Sequence, residues 1–110
     1  MLIIACINYK HMPRKKCLRY ISETPGFTYY KPAGVPMRVL DEVVIHLYEA
    51  EAIRLADHEK MYQEQAAEKM NISRQTFGRI IESAHTKIAD ALVHGKAIRI
   101  EGGNIEVMKP

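Results

Sequence analysis

The segment from Gln63 to Ile80 constrains the fold most strongly, because its residue pattern fits two helices packed across a tight turn. The first predicted helix carries two adjacent alanines where the helices would touch, and small side chains allow that close approach. Larger apolar residues flank the turn and recur on the inward side of the second helix. The positions that this packing requires to be apolar are all apolar: Ala66, Ala67, Met70, Ile72, Phe77 and Ile80.

Signals for helix ends surround the turn. Asn71 tolerates the left-handed conformation of a helix C-cap, and Ser73 suits the N-cap of the next helix. That helix is predicted to run from Arg74 to about Val93, and Gly95 ends it. Its apolar residues recur at spacings of three and four and predict one buried stripe: Phe77, Ile81, Ala84, Ile88 and Leu92.

The outward positions of both helices are polar, and this pattern favours binding to double-stranded DNA. A recognition helix enters the major groove by its N-terminal end, so its first turns carry the DNA-contacting groups. Arginine pairs well with guanine and glutamine with adenine, while hydroxyls and free amides suit phosphate oxygens. A helical hairpin that only packs would rarely satisfy all these positions. The predicted DNA-facing residues are Ser73, Arg74, Gln75, Thr76, Gly78 and Arg79.

Gly78 is an unusual residue for this face, because a glycine inside a helix costs about 1 kcal/mol relative to alanine. Either the glycine gives room for close approach to DNA, or it is tolerated without a role. The residue pattern leaves both interpretations open.

Residues 1–22, which we name the basic arm, carry five cations and no acid. The net charge of the whole chain is +3, which permits an acidic partner without demanding one. We expect the arm to contact DNA phosphates, the alternative being a solvated tail. The predicted contacts are Arg14, Lys15, Lys16 and Arg19.

The regions on either side of the helices predict small β elements. Residues 1–38 lack helical periodicity; "CLRYI" fits a short strand, and the proline- and glycine-rich "TPGFTYYKPAGVP" fits a structured loop. "VLDEVVIHL" fits strand or helix, and "YEAEAIRLADHE", from Tyr48, fits a helix with Ala52, Ile53 and Ala56 facing the core.

The C-terminal run "KAIRIEGGNIEV" predicts a β-hairpin at 96–108 that turns at the two glycines. Ile100 would then face Ile105, Ile98 would face Val107, and Arg99 would face Glu106. The two acids argue against a DNA-contacting wing. We expect the hairpin to pack on "CLRYI" and "VVIHL", or on a second subunit.

Several blocks between Met12 and Gly103 resemble the short prokaryotic proteins of Uncharacterised Protein Family 0251 (domain of unknown function 134). The blocks are "MPRKKC", "YYKPAGVP", "EAEAIRLAD", "EQAAEKMNISRQTFGRIIESA" and "KIADALVHGKAIRIEGG". The resemblance implies a DNA-binding helix-turn-helix similar to region four of sigma factors, with Ser73, Arg74, Gln75, Thr76 and Arg79 facing DNA. It also implies a usual start at Met12, which makes residues 1–11 an extension.

The sequence departs from the family pattern at the helix starts. Tyr48 and Tyr62 stand where an Asp or Ser cap is usual, and a lost cap costs about 1 kcal/mol. Either these helices start elsewhere or the tyrosines are packed. Asn71 replaces a glycine in the turn, which its conformational tolerance allows.

Together these features predict one mainly α domain over 1–110, with small β elements: an extension (1–11), an arm, loop and strand segment (12–47), a helix-turn-helix (48–94) and a hairpin (96–108). We expect a cytoplasmic, homodimeric transcription regulator without enzymatic activity, cofactor, metal or membrane span. A module that docks a partner such as RNA polymerase is one alternative. A metal or redox sensor using Cys6, His11 and Cys17 is another, although two of these precede the expected start.

Overall fold

Residues 18–108, the part of the chain that this computed structural model describes, combine three α-helices with two small sheets. No helix in this part is long and apolar enough to cross a membrane. In chain order the elements are β1 (Arg19–Ile21), β2 (Tyr29–Tyr30), a 3-10 turn (Met37–Val39), β3 (Glu42–Ile45), α1 (Leu47–Ile53) continued by a π-helical turn (Arg54–His58), α2 (Gln63–Lys69), α3 (Arg74–His94), β4 (Ala97–Ile100) and β5 (Ile105–Val107).

Helices α2 and α3 pack across a four-residue turn, as the sequence predicts. Ala66 and Phe77 are completely buried, and both belong to a core cluster that also includes Ala52 and Leu55 of the α1 segment. Removing these side chains from water is the main favourable term that holds the helices together. The six positions predicted to be apolar for this packing are all buried: Ala66, Ala67, Met70, Ile72, Phe77 and Ile80.

The predicted helix ends are confirmed. Asn71 adopts the left-handed conformation with φ 63°, and the Ser73 hydroxyl accepts a hydrogen bond of 3.1 Å from the Thr76 amide. Helix α3 ends at His94, one residue beyond the predicted Val93, and Gly95, with φ 67°, caps it as predicted. Each cap satisfies backbone groups that a helix end leaves without an intrahelical partner.

The predicted apolar stripe of α3 is right in its first half and wrong at its end. Phe77, Ile81 and Ala84 are buried, whereas Leu92 is 76% exposed. Ala91 is buried instead, close to where its carbonyl accepts from the Lys96 amide at the entry to β4. Ala91 and Leu92 follow Ala84 by seven and eight residues. Both separations make about two helical turns, so spacing alone does not show which of the two is buried.

The predicted C-terminal hairpin is wrong, although both of its strands are present. β4 pairs in parallel with β3 and antiparallel with β2, while β5 pairs in parallel with β1. Arg99 forms its ion pair with Glu42 at 2.8 Å, not with Glu106. The predicted partner segments "CLRYI" and "VVIHL" are confirmed within the same chain, and each takes one strand of the supposed hairpin. Backbone pairing with these apolar segments therefore replaces the local turn.

The glycine pair carries the chain from one sheet to the other, past the start of α1. The Leu47 amide donates to the Gly102 carbonyl at 2.9 Å. Gly103 has φ 103°, and a Cβ there would lie only 2.7 Å from Cε2 of Tyr48. Only glycine combines that backbone conformation with so close an approach.

The two tyrosines that replace the usual caps behave differently. The N-cap of α1 is His46, so Tyr48 lies inside the helix, and its ring stacks on the His46 ring with 5.2 Å between centroids. Tyr62 is the N-cap of α2, makes no side-chain cap bond and is 78% exposed. Tyr48 is therefore packed inside its helix, whereas Tyr62 occupies the cap position without a capping bond.

Replacing Gly103 with alanine is expected to lower the free energy of unfolding by about 1–3 kcal/mol, because the alanine would be strained at positive φ and would displace the Tyr48 ring. Urea unfolding measures this change. Gly26→Ala is the matched control, since no atom lies within 4 Å of its added methyl group. Equal stability of the two variants would show that the approach of Gly103 to Tyr48 does not constrain the fold.

Candidate nucleic-acid interface

Three long polar side chains at the start of α3 are exposed and uncommitted. Arg74, Gln75 and Arg79 are all exposed, and none of them forms an ion pair or side-chain hydrogen bond with a described residue. Several other cations of the described chain are committed, among them Lys87 to Glu49 and Lys96 to Asp90, each at 2.9 Å. The predicted contact residues at this helix start are therefore available to a ligand.

Ser73 and Thr76 lie at the same helix end, but their hydroxyls are partly engaged. The Ser73 hydroxyl donates to the Thr76 hydroxyl at 2.9 Å while accepting from the Thr76 amide. The Thr76 hydroxyl accepts in that pair, so its own hydrogen stays free for an acceptor. The two residues thus fix the helix start and leave one O–H donor beside the exposed arginines.

Gly78 is half-buried, and its open side faces α2, not only solvent. A methyl group placed on it would meet Oε1 of Gln63 at 3.6 Å, an ordinary van der Waals distance. The sequence pattern did not single out Gln63, because position along α2 does not show which of its exposed polar residues lies beside α3. The contact becomes visible only when the two helices are placed together.

The predicted contacts of the basic arm divide into two groups. Arg14, Lys15 and Lys16 lie outside the described residues, as do Cys6, His11 and Cys17. Arg19 lies in β1 and is half-buried, with its guanidinium 4.4 Å from the centre of the Tyr48 ring. The Arg19 guanidinium therefore packs on α1, while the residues on either side of it are hydrogen-bonded to the turn before α3.

The described chain begins beside the turn between α2 and α3. The Tyr20 amide donates to the Met70 carbonyl at 3.0 Å, and the Asn71 side chain donates to the Leu18 carbonyl at 3.5 Å. The charges are also unevenly placed: residues 18–108 hold eleven Lys and Arg and all thirteen Asp and Glu, a net of −2. The positive net charge of the whole chain therefore comes from residues outside that range.

A buried carboxylate, which the sequence pattern did not reveal, fixes the position of α3. Glu49 is 2% exposed, and it accepts from the His46 amide at 2.8 Å, from the Ser83 hydroxyl at 2.8 Å and from Lys87 Nζ at 2.9 Å. These bonds join the start of α1 to the middle of α3. The Ser83–Lys87 spacing of four on α3, facing an acid in the first turn of α1, is the signal that could have indicated it.

The pKa of Glu49 reflects two opposing effects. Burial raises it, but the hydrogen bonds from Lys87, the His46 amide and Ser83 favour the charged form and bring the pKa below its ordinary value. The carboxylate is therefore ionised at neutral pH, and its charge stabilises the fold there.

The described part of the chain does not support the alternative of a metal site. Between residues 18 and 108, no three His, Cys, Asp or Glu side chains are placed together to hold a metal ion. A shallow groove does continue from Arg79 along α3, lined further by Glu82, Ser83, Thr86 and Lys87.

Comparison with known proteins gives a consistent family assignment. A family model described as a protein of unknown function, DUF134, matches residues 9–108. A UPF0251 protein of Thermoanaerobacter pseudethanolicus is 56% identical over 87% of this chain and 81% of its own length. UPF0251 proteins of Caldanaerobacter subterraneus and Moorella thermoacetica are each 54% identical, over 87% and 90% of this chain and 81% and 66% of their own lengths. No solved structure matches the chain.

Replacing Glu49 with glutamine is expected to lower the free energy of unfolding by about 1–3 kcal/mol near neutral pH, because glutamine lacks the charge and has one acceptor oxygen in place of two. Since the pKa of Glu49 is lowered in the fold, its contribution is present above the ordinary carboxyl pKa and is lost as pH falls through the lowered value. The difference between wild type and variant should therefore shrink in acid.

Urea unfolding at about pH 7 and about pH 3 tests this dependence. Glu106→Gln is the control, because Glu106 is exposed and forms no ion pair with a described residue. A destabilisation of the same size at both pH values would rule out the charge of Glu49 as the cause.

Proposed function

From the premise that this chain belongs to the protein family of unknown function DUF134, we propose that it is a sequence-specific double-stranded DNA-binding protein and a transcription regulator. In this proposal α2 and α3 form a helix-turn-helix, and the first turns of α3 enter the major groove. The protein acts in the cytoplasm and catalyses no reaction.

The observation that carries the proposal is the set of exposed, unpaired groups at the start of α3. Arg74, Gln75 and Arg79 extend from a helix whose opposite side is locked in the core by Phe77 and Ile81. A rigid helix that presents arginine and glutamine can form bidentate hydrogen bonds with base edges. The free donor of Thr76 and the guanidinium groups suit the phosphates on either side.

The charge distribution supports a contribution of the basic arm to non-specific affinity. Residues 18–108 carry a net charge of −2, so the described surface as a whole gives little long-range attraction for DNA. Arg14, Lys15 and Lys16 supply that attraction in our proposal, because cations near phosphates release bound counterions. The first described residue after them, Leu18, lies beside the turn between α2 and α3.

RNA polymerase is the alternative partner, and a module that docks a protein would favour an apolar or acidic outer face on α3. The exposed arginines at the start of the helix favour DNA instead.

The other end of α3 carries exposed apolar residues, Leu92 at 76% and Val93 at 75%. We propose a homodimer that holds two recognition helices one helical turn of DNA apart, and light scattering of the purified chain tests its mass.

Replacing Arg74 or Arg79 with alanine should weaken binding to a duplex selected from genomic fragments by about 1–3 kcal/mol if the side chain reads a base. Fluorescence anisotropy of labelled duplex gives the affinity, and thermal unfolding verifies that each variant is folded. Arg38→Ala is the matched control, since Arg38 is an exposed arginine of the Met37–Val39 turn without an ion pair in the described chain. Unchanged affinity in both α3 variants would exclude this helix start as the interface.

Replacing Arg14, Lys15 and Lys16 together with glutamine should weaken binding to every duplex and flatten its salt dependence, by about one unit of log–log slope for each phosphate that the arm no longer neutralises. The triple variant Lys31→Gln, Arg38→Gln and Lys60→Gln removes the same charge from other exposed positions and serves as the control. A slope that stays constant while affinity for one sequence alone falls would mean that the arm reads bases.

A further inference from the structure

The space beside Gly78 is bounded by a side chain from the other helix. A methyl group at Gly78 would have one neighbour within 4 Å outside the local backbone, Oε1 of Gln63, at 3.6 Å. Gln63 is the first residue of α2, so its side chain reaches across to the face of α3 that carries the exposed arginines. Gly78 follows Arg74 by one helical turn and directly precedes Arg79.

Gln63 keeps its hydrogen-bonding groups free in this position. The residue is exposed, and its side chain forms no hydrogen bond with any residue between 18 and 108. A primary amide offers two N–H donors and an acceptor oxygen. The position of Gln63 beside Gly78 therefore places an uncommitted polar group where α2 meets α3, on the side where Arg74 and Arg79 are exposed.

We propose that Gln63 is a DNA-contacting residue whose amide donates to a phosphate oxygen, and that a small residue at position 78 leaves room for this side chain. The proposal rests on the function proposed above and names a contact of the same interface. Phosphate is the assigned ligand because Gln63 belongs to the helix outside the groove. In a helix-turn-helix the first helix crosses the DNA backbone and the second reaches the bases.

This assignment gives Gly78 a role that the sequence left open. An alanine at position 78 keeps an ordinary distance from Gln63 and leaves its amide in place. A leucine there would extend into the space that the Gln63 side chain occupies and would displace it. In this assignment the small size of residue 78 affects DNA binding through Gln63, not through direct approach of the backbone to DNA.

The first test is Gln63→Ala, measured by fluorescence anisotropy on the selected duplex and on a duplex of scrambled sequence. We expect roughly a tenfold decrease in affinity on both, the size of one hydrogen bond to a charged group. The salt dependence should not change, because a neutral amide releases no counterion. Gln65→Ala is the control: Gln65 is an exposed glutamine of the same helix, but it lines a depression with Met61, Glu68 and Lys69.

The second test is a double-mutant cycle with Gly78→Leu. If the glycine serves Gln63, Gly78→Leu weakens binding about tenfold in the wild type and has little further effect in Gln63→Ala. An equal decrease in both backgrounds would overturn the coupling and return the glycine to direct contact with DNA. Thermal unfolding of all four proteins verifies that folding is retained. If the leucine variant is unfolded, Gly78→Ala takes its place. This variant should bind like wild type, and weaker binding would return the glycine to direct contact with DNA.

The outcomes separate this inference from the proposed function. Unchanged affinity of Gln63→Ala, beside a decrease in Arg74→Ala, would overturn the inference alone. A decrease confined to the selected duplex would overturn the assignment to phosphate. Absence of DNA binding by the wild-type chain would overturn both.

Discussion

The buried contact between α2 and α3 is the constraint on which the rest of the structure depends. Two alanines let the helices approach, and Phe77 fills the space below the turn with no exposed surface. This packing leaves few orientations for α3, so the residues on its outer side are fixed as a group. Glu49 adds a second restraint from α1 through Ser83 and Lys87. Buried hydrogen bonds to an ionised carboxylate tolerate little displacement, which suits the alignment of a long helix.

The sequence predicted the local part of this arrangement well. The caps at Asn71, Ser73 and Gly95 are confirmed, as are the buried positions around the turn and the exposure of Arg74, Gln75 and Arg79. These features follow from interactions within a few residues, where periodicity and cap chemistry are informative. The family resemblance is confirmed as well. The DNA-binding roles remain proposals, because they depend on a partner that lies outside the chain.

The sequence failed where long-range pairing competed with a local signal. Two glycines between alternating apolar runs normally indicate a hairpin, yet each run pairs with a strand from the first half of the chain. Gly103 meets a different demand, the close approach to Tyr48. The same limit hid Gln63 and Glu49, since their partners Gly78, Ser83 and Lys87 lie on another helix. Position along one helix does not show which polar residue faces a second one.

The parallel pairing of β1 with β5 joins residues near opposite ends of the described chain: Arg19 lies opposite Ile105. Closing so long a loop costs chain entropy before its contacts can stabilise it, whereas α2 and α3 are neighbours in sequence. We therefore expect the helix pair to form early in folding and the β1–β5 sheet to close last. During synthesis the first strand would emerge from the ribosome long before its partner exists. Until β5 is made, β1 would lack the strand with which it pairs.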